Sequence, residues 1–130
     1  MDGEISTDEV ARSIESDDPP LIVDIRPPEA FARGHIPGSE NVPFPRLADR
    51  IEDIAAADPD HVVTVCPKGQ SSVQAARLIA SYEGTGDARV ESMAGGLDEW
   101  SGDLVTDGVT GTDGDGTDGT SESGAADAPF

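Results

Sequence analysis

An α/β fold, a parallel sheet with helices on both faces, is what this 130-residue sequence predicts. Segments of strand length, "LIVDI" (21–25), "HVVTVC" (61–66) and "ARVESM" (88–93), alternate with segments whose apolar residues recur at helical spacing. The first two are nearly continuous apolar runs, the pattern of strands covered from both sides. Helical segments between successive strands supply the crossovers that parallel pairing requires.

Each element has a local reason. "STDE" (6–9) has the capping-box pattern, with Ser6 as N-cap and Glu9 at the third helical position, and Val10, Ala11 and Ile14 follow as an apolar stripe. "LIVDI" follows Pro19-Pro20 and reads as a buried strand. "PPEAFARG" (27–34) allows a short helix stopped at Gly34, and "SENV" (39–42) a short strand. "RLADRIEDIAAA" (46–57) places Leu47, Ile51 and Ile54 on one helical face. "SSVQAARLIASYEG" (71–84) places Val73, Ala76, Leu78, Ile79 and Tyr82 on or near another, with Gly84 as a stop. "GGLDEW" (95–100) opens a short last helix.

After Trp100 the composition changes. Residues 101–130 contain seven acidic residues, no Lys or Arg, and many Gly, Thr and Ser, with "TDG" repeated at 106–108, 112–114 and 117–119. Such a segment buries too little apolar surface to offset the entropy of ordering. The expected organisation is a domain over 1–100 and a disordered acidic tail over 101–130.

The 27 acidic residues against 8 basic ones give a formal charge of −19, and only seven of the 27 lie in the tail. The charge disfavours nucleic acid and anionic membrane surfaces as partners. Asp (17) exceeds Glu (10), and seven Arg accompany a single Lys. Acid excess with lysine depletion resembles the haloarchaeal type of composition, in which concentrated salt screens self-repulsion. No stretch approaches the ~18 apolar residues of a membrane span, and "MDGEISTDEV" lacks the basic and apolar regions of a signal peptide. The expectation is a cytoplasmic, halophilic protein. A single cysteine rules out an internal disulfide and Cys-x-x-Cys metal sites.

That cysteine, Cys66, ends a strand and begins "CPKGQS" before the helix at Ser71. Functional loops of parallel sheets lie at such carboxyl ends. Gly69 allows a turn whose N–H groups point inward, and the next helix adds its positive end. Ser71 and Ser72 can cap that helix or donate hydroxyl hydrogen bonds. Lys68, the only lysine, stands two residues from the thiol. A thiol there is expected to have a lowered pKa and to be nucleophilic.

Three segments, in order, carry a family resemblance. "VDIRPPEAFARGHIPGSENVP" (23–43) is similar to a signature of Asp-x-Arg followed by Gly-His-Ile-Pro-Gly-Ala-x-Asn, with Ser39 in place of Ala. "VCPKGQSS" (65–72) is similar to an active loop Cys-x-x-Gly-x-Ser/Thr/Arg-Ser, and "MAGGLDEW" (93–100) to a closing Gly-Gly…Trp segment. The chain resembles a single-domain rhodanese, a sulfurtransferase of the rhodanese-like superfamily, over about residues 5–100.

The resemblance implies a three-layer fold with about five parallel strands. It also implies transfer of sulfane sulfur, from a small anionic donor such as thiosulfate to cyanide, a thiol or a sulfur-trafficking protein. Carried onto this sequence, Cys66 is the nucleophile and persulfide carrier. Lys68, Gly69, Gln70, Ser71 and Ser72 hold the persulfide and the anion through their N–H groups, which Pro67 lacks. No metal or organic cofactor is expected. Lys68 is expected to attract the anionic donor. Asp24, Arg26 and His35 are expected to be structural near the site, the first two as an ion pair and His35 through a hydrogen bond that locks a turn; His61 is expected to be exposed. A phosphatase of the same fold would have a loop one residue longer with a closing Arg, whereas the first downstream Arg here is Arg77, well inside the helix. The other alternative is a non-catalytic or redox-sensing rhodanese module acting in binding or regulation.

Overall fold

The computed structural model describes residues 3–106. They fall into two compact units, residues 3–26 with 38–102, and residues 27–37 with 103–106.

The larger unit holds the sheet. Its strands are β1 (Glu4–Ile5), β2 (Leu21–Asp24), β3 (Glu40–Asn41), β4 (His61–Val65) and β5 (Arg89–Met93), in the order β1-β5-β4-β2-β3. Every pairing is parallel, with Val62 opposite Leu21 and Val90, and Thr64 opposite Val23 and Ser92. Its helices are α1 (Thr7–Ser13), α3 (Leu47–Ala56) and α4 (Ser71–Ser81). From β1 through α1 to β2 the chain moves one way across the sheet; through α3 to β4 and through α4 to β5 it moves the other. Right-handed crossovers then place α1 on one face and α3 with α4 on the other.

Strand alternation matches those two faces. Val23, Ile25, Val62, Cys66 and Val90 pack with Leu47, Ile51 and Ile54 of α3 and with Ala75, Ala76 and Ile79 of α4. The intervening Ile22, Val63 and Val65 are also buried, as is Val10 of α1. Burial of both sets explains why these strands read as apolar runs, and each such side chain contributes roughly 2 kcal/mol. On α4 the inward stripe is Ser72, Ala75, Ala76 and Ile79, while Leu78 is 38% exposed. Small residues on that stripe let the helix backbone approach the sheet.

Termini follow local rules. Ser6 Oγ accepts from Glu9 N at 3.1 Å, the N-cap half of the capping box. Pro28 stands in the first turn of α2 (Pro28–Arg33) in the smaller unit. α4 ends when Tyr82 turns extended, two residues before Gly84. The expected last helix is a single 3₁₀ turn, Gly96–Glu99.

Two features differ from the sequence reading. β1 is an added strand whose two residues sit opposite Ser92 and Met93, and Ala94 N donates to Ile5 O at 2.8 Å. His61, expected to be exposed, has its side chain 21% exposed, with Nε2 2.8 Å from Glu91 Oε1. Arg89 Nε reaches the same oxygen at 3.1 Å, so the buried Glu91 carboxylate is held from two sides.

In the smaller unit, His35 and Val105 form an antiparallel bridge, with N–H···O distances of 2.9 and 2.8 Å. His35 Nδ1 lies 2.8 Å from Phe31 O, and its ring stacks on Phe31 with centroids 3.7 Å apart. Of the tail read over 101–130, residues 107–130 lie outside the described residues.

Candidate active site

β4 delivers Cys66 to the carboxyl edge of the sheet, where its side chain is 2% exposed. The chain then loops over Pro67–Gln70 and enters α4 at Ser71. Gly69 makes the turn at φ +82°, a conformation that favours glycine. Its N–H donates to Cys66 Sγ at 3.0 Å. Ser72 N–H donates to the same sulfur at 3.4 Å, and the Ser72 hydroxyl lies 3.3 Å from it.

Burial is the largest influence on the thiol and pushes it up. The Ser72 hydroxyl and the N–H groups of Ser72, Gly69 and Lys68 outweigh it, and the net result lies below the ordinary thiol value. The loop favours the anionic form of a sulfur that is almost fully buried.

The closing "GGLDEW" segment braces this loop from behind. Leu97 N donates to Cys66 O and Asp98 N to Pro67 O, both at 2.9 Å. The approach is tight at Gly96, φ +63°, where an added Cβ would stand 2.5 Å from Pro67 O and 2.6 Å from Gly69 N. A Cβ on Gly69 would likewise meet Gly95 N at 2.8 Å. Two glycines distant in sequence thus permit one backbone contact.

The structure brings together Cys66, Gly69, Ser72 and the Lys68 backbone. Gln70 is the residue before α4 and makes no side-chain cap, and Ser71 opens the helix. The hydrogen bonds to Sγ come from residues other than these two. Neither Ser71 nor Ser72 caps α4, because Ser72 is turned to the sulfur instead. Lys68 points outward, its Nζ 3.9 Å from Asp98 Oδ2, with side chains 72% and 58% exposed.

At the end of β2, Arg26 Nε donates to Asp24 Oδ1 at 3.0 Å and Arg26 NH2 to Oδ2 at 2.8 Å, a two-pronged pair. Asn41 Nδ2 donates to Asp24 O and Arg26 O at 3.1 and 2.9 Å, fixing β3 to the same corner. His35 belongs to the smaller unit, where its partners are Phe31 and Val105.

Sequence reasoning missed Ser92. Its hydroxyl lies 2.7 Å from that of Ser72, and both residues are fully buried. A serine inside the run "RVESM" was the only available signal. Among the described residues no group of three or more His, Cys, Asp or Glu is placed to hold a metal ion. Among the same residues no helix is long and apolar enough to cross a membrane.

Comparison with known proteins agrees with this geometry. Thiosulfate sulfurtransferase GlpE of Stutzerimonas stutzeri is 42% identical over 81 residues, which is 62% of this chain and 69% of that protein. GlpE of Pseudomonas aeruginosa is 44% identical over 80 residues, 61% of this chain and 67% of its own length. Among solved structures, the human single-domain sulfurtransferase TSTD1 superposes with a TM-score of 0.62 at 28% identity, over 75% of this chain and 93% of that one. The profile of the rhodanese-like domain matches residues 6–103, so the chain belongs to the rhodanese-like family.

Proposed function

We propose that this protein is a sulfurtransferase that carries sulfane sulfur as a persulfide on Cys66. The observation that carries the reading is the buried thiol ringed by Gly69, Ser72 and Lys68 donors, held below its ordinary pKa. With thiosulfate as donor, the Cys66 thiolate attacks the outer sulfur. The new S–S bond forms as the old one breaks, and sulfite leaves with the bonding pair. A nucleophilic acceptor then attacks the outer sulfur of the persulfide, and Cys66 leaves as thiolate. Each half-reaction begins or ends with sulfur anion in the cradle, so fixed donors serve both. In this reading the N–H groups of Gln70, the residue before α4, and of Ser71, which opens it, receive the outer sulfur or the arriving anion. The names of the GlpE relatives support thiosulfate as donor. Cyanide, a small thiol or a sulfur-trafficking protein completes the cycle as acceptor. The halophilic, cytoplasmic setting belongs to the same reading and rests on the composition.

Intact mass after incubation with thiosulfate tests this directly. The expected product is a gain of about 32 Da, one sulfur atom, discharged by cyanide or thiol. Absence of the adduct overturns the transfer reading and favours a binding or redox-sensing module.

Lys68 attracts the anionic donor on an otherwise acidic surface, and Asp98 partly neutralises it. Lys68→Ala is expected to raise the thiosulfate KM roughly threefold at low salt, and Asp98→Asn to lower it by a similar factor. At molar salt both effects are expected to shrink, since the Debye length falls to about 3 Å. Steady-state kinetics at two ionic strengths checks both; salt-independent effects would mean contact rather than field.

A further inference from the structure

We propose that Ser92 is a positioning residue that aims the Ser72 hydroxyl proton at Cys66 Sγ. The proposal rests on the reading of Cys66 as the nucleophile and adds a second layer behind it. Ser92 lies on β5, fully buried, and its Oγ is 2.7 Å from Ser72 Oγ. Ser72 Oγ in turn is 3.3 Å from Sγ. The main chain at Ser72 is fixed independently, because Thr64 Oγ1 donates to Ser72 O at 2.7 Å.

The direction of the hydrogen bonds follows from counting protons. Each serine hydroxyl has one proton to donate and can accept others. Among the described residues, Ser72 Oγ is the hydrogen-bond partner of the Ser92 hydroxyl. A buried hydroxyl proton without an acceptor is costly, so Ser92 donates to Ser72. The Ser72 proton is then turned away from Ser92 and toward the sulfur. The opposite arrangement would aim a lone pair of Ser72 at a thiolate and leave the Ser92 proton stranded. The chain Ser92→Ser72→Cys66 therefore favours the anion both when the thiolate attacks and when it leaves from the persulfide. Chained hydrogen bonds of this kind strengthen one another.

Of the charged groups on the surrounding elements, Glu4 of β1, opposite Ser92, and Arg77 of α4 are exposed. Asp24 and Arg26 are paired to each other, Lys68 is paired with Asp98, and Glu91 is held by His61 and Arg89. Glu99 lies on the exposed turn beyond them. Substitutions at Ser92 and Ser72 leave all of these charges in place.

The test is the pH dependence of Cys66 alkylation by iodoacetamide in wild type, Ser92→Ala, Ser72→Ala and the double variant. It needs no sulfur donor, so it stands apart from the thiosulfate adduct: alkylation can shift as expected even if no adduct forms. Ser92→Ala is expected to raise the pH of half-maximal alkylation by about 0.5, and Ser72→Ala by at least as much. The double variant is expected to match Ser72→Ala, because Ser92 acts only through Ser72. Ser92→Thr, which keeps the hydroxyl, is expected to return the midpoint toward wild type. An unchanged midpoint in Ser92→Ala, or a Ser92→Ala shift that adds in full to that of Ser72→Ala, would overturn the proposal.

Discussion

Cys66→Ser is expected to abolish sulfur loading while leaving the protein folded. The substitution exchanges one buried atom for a smaller one, and the serine oxygen can accept the same N–H bonds from Gly69 and Ser72. Stability should therefore change by only about 1 kcal/mol. The chemistry has no such tolerance. An alcohol is far too weak an acid for these few donors to ionise it, and the loss in rate should be on the order of 10³-fold or more. Intact mass after thiosulfate treatment, read beside a thermal unfolding curve, checks both halves. The chain has no second cysteine, so sulfur retained by Cys66→Ser would refute the assignment outright. A linked effect follows from the lowered thiol. The folded thiol ionises at lower pH than the unfolded one, so its thiolate adds stability that is complete above the unfolded value, about 8.5. That contribution fades as pH falls through the folded value. Wild type should gain on Cys66→Ser as pH rises through this window.

Gly96→Ala is expected to damage the loop and the fold together. Residue 96 sits at φ +63°, and its new methyl would press on the carbonyl oxygens of Cys66 and Pro67 and on Gly69 N. All three are backbone atoms of the loop that holds Cys66, and none can swing aside as a side-chain tip would. Backbone strain and overpacking together should cost about 3 kcal/mol. If the fold survives, relief must come from moving the loop away from residue 96. Gly69 N would then leave Sγ, and alkylation of Cys66 at neutral pH should slow. A denaturant melt and an alkylation rate measure the two parts; a variant with both unchanged would refute the close approach.

How legible these features were depended on distance along the chain. The geometry of the cysteine loop was readable because its parts lie within seven residues: Cys66, the left-handed Gly69, and Ser72 at the head of the helix. Long elements were readable for the same reason, since Leu47, Ile51 and Ile54 declare a helical face over two turns. One element defined by pairing was not, although β3, equally short, was read within "SENV". β1 is only Glu4–Ile5 and exists because β5 offers it an open edge. Leu78 fits the helical period but faces outward, because Ser72, Ala75 and Ala76 set the close packing side of α4. The partners of the loop were hidden too. Ser92, Asp98 and Gly96 lie 20 or more residues beyond the segments they serve; "MAGGLDEW" marked the segment of Gly96 and Asp98 but not its contact with the loop, and no local pattern marks Ser92.

The brace behind the Cys66 loop also bears on the order in which the protein is made. The carbonyls of Cys66 and Pro67 are held by the N–H groups of Leu97 and Asp98, and the Ser72 hydroxyl by Ser92. A ribosome delivers those partners only after the loop itself has emerged. Until then the thiol has neither its fixed donors nor its cover, and it behaves as an ordinary cysteine of an unfinished chain. The enhanced ionisation of the thiol therefore arrives with the last turn of the domain, and a prematurely terminated product carries only the small thiolate fraction of an ordinary cysteine near neutral pH.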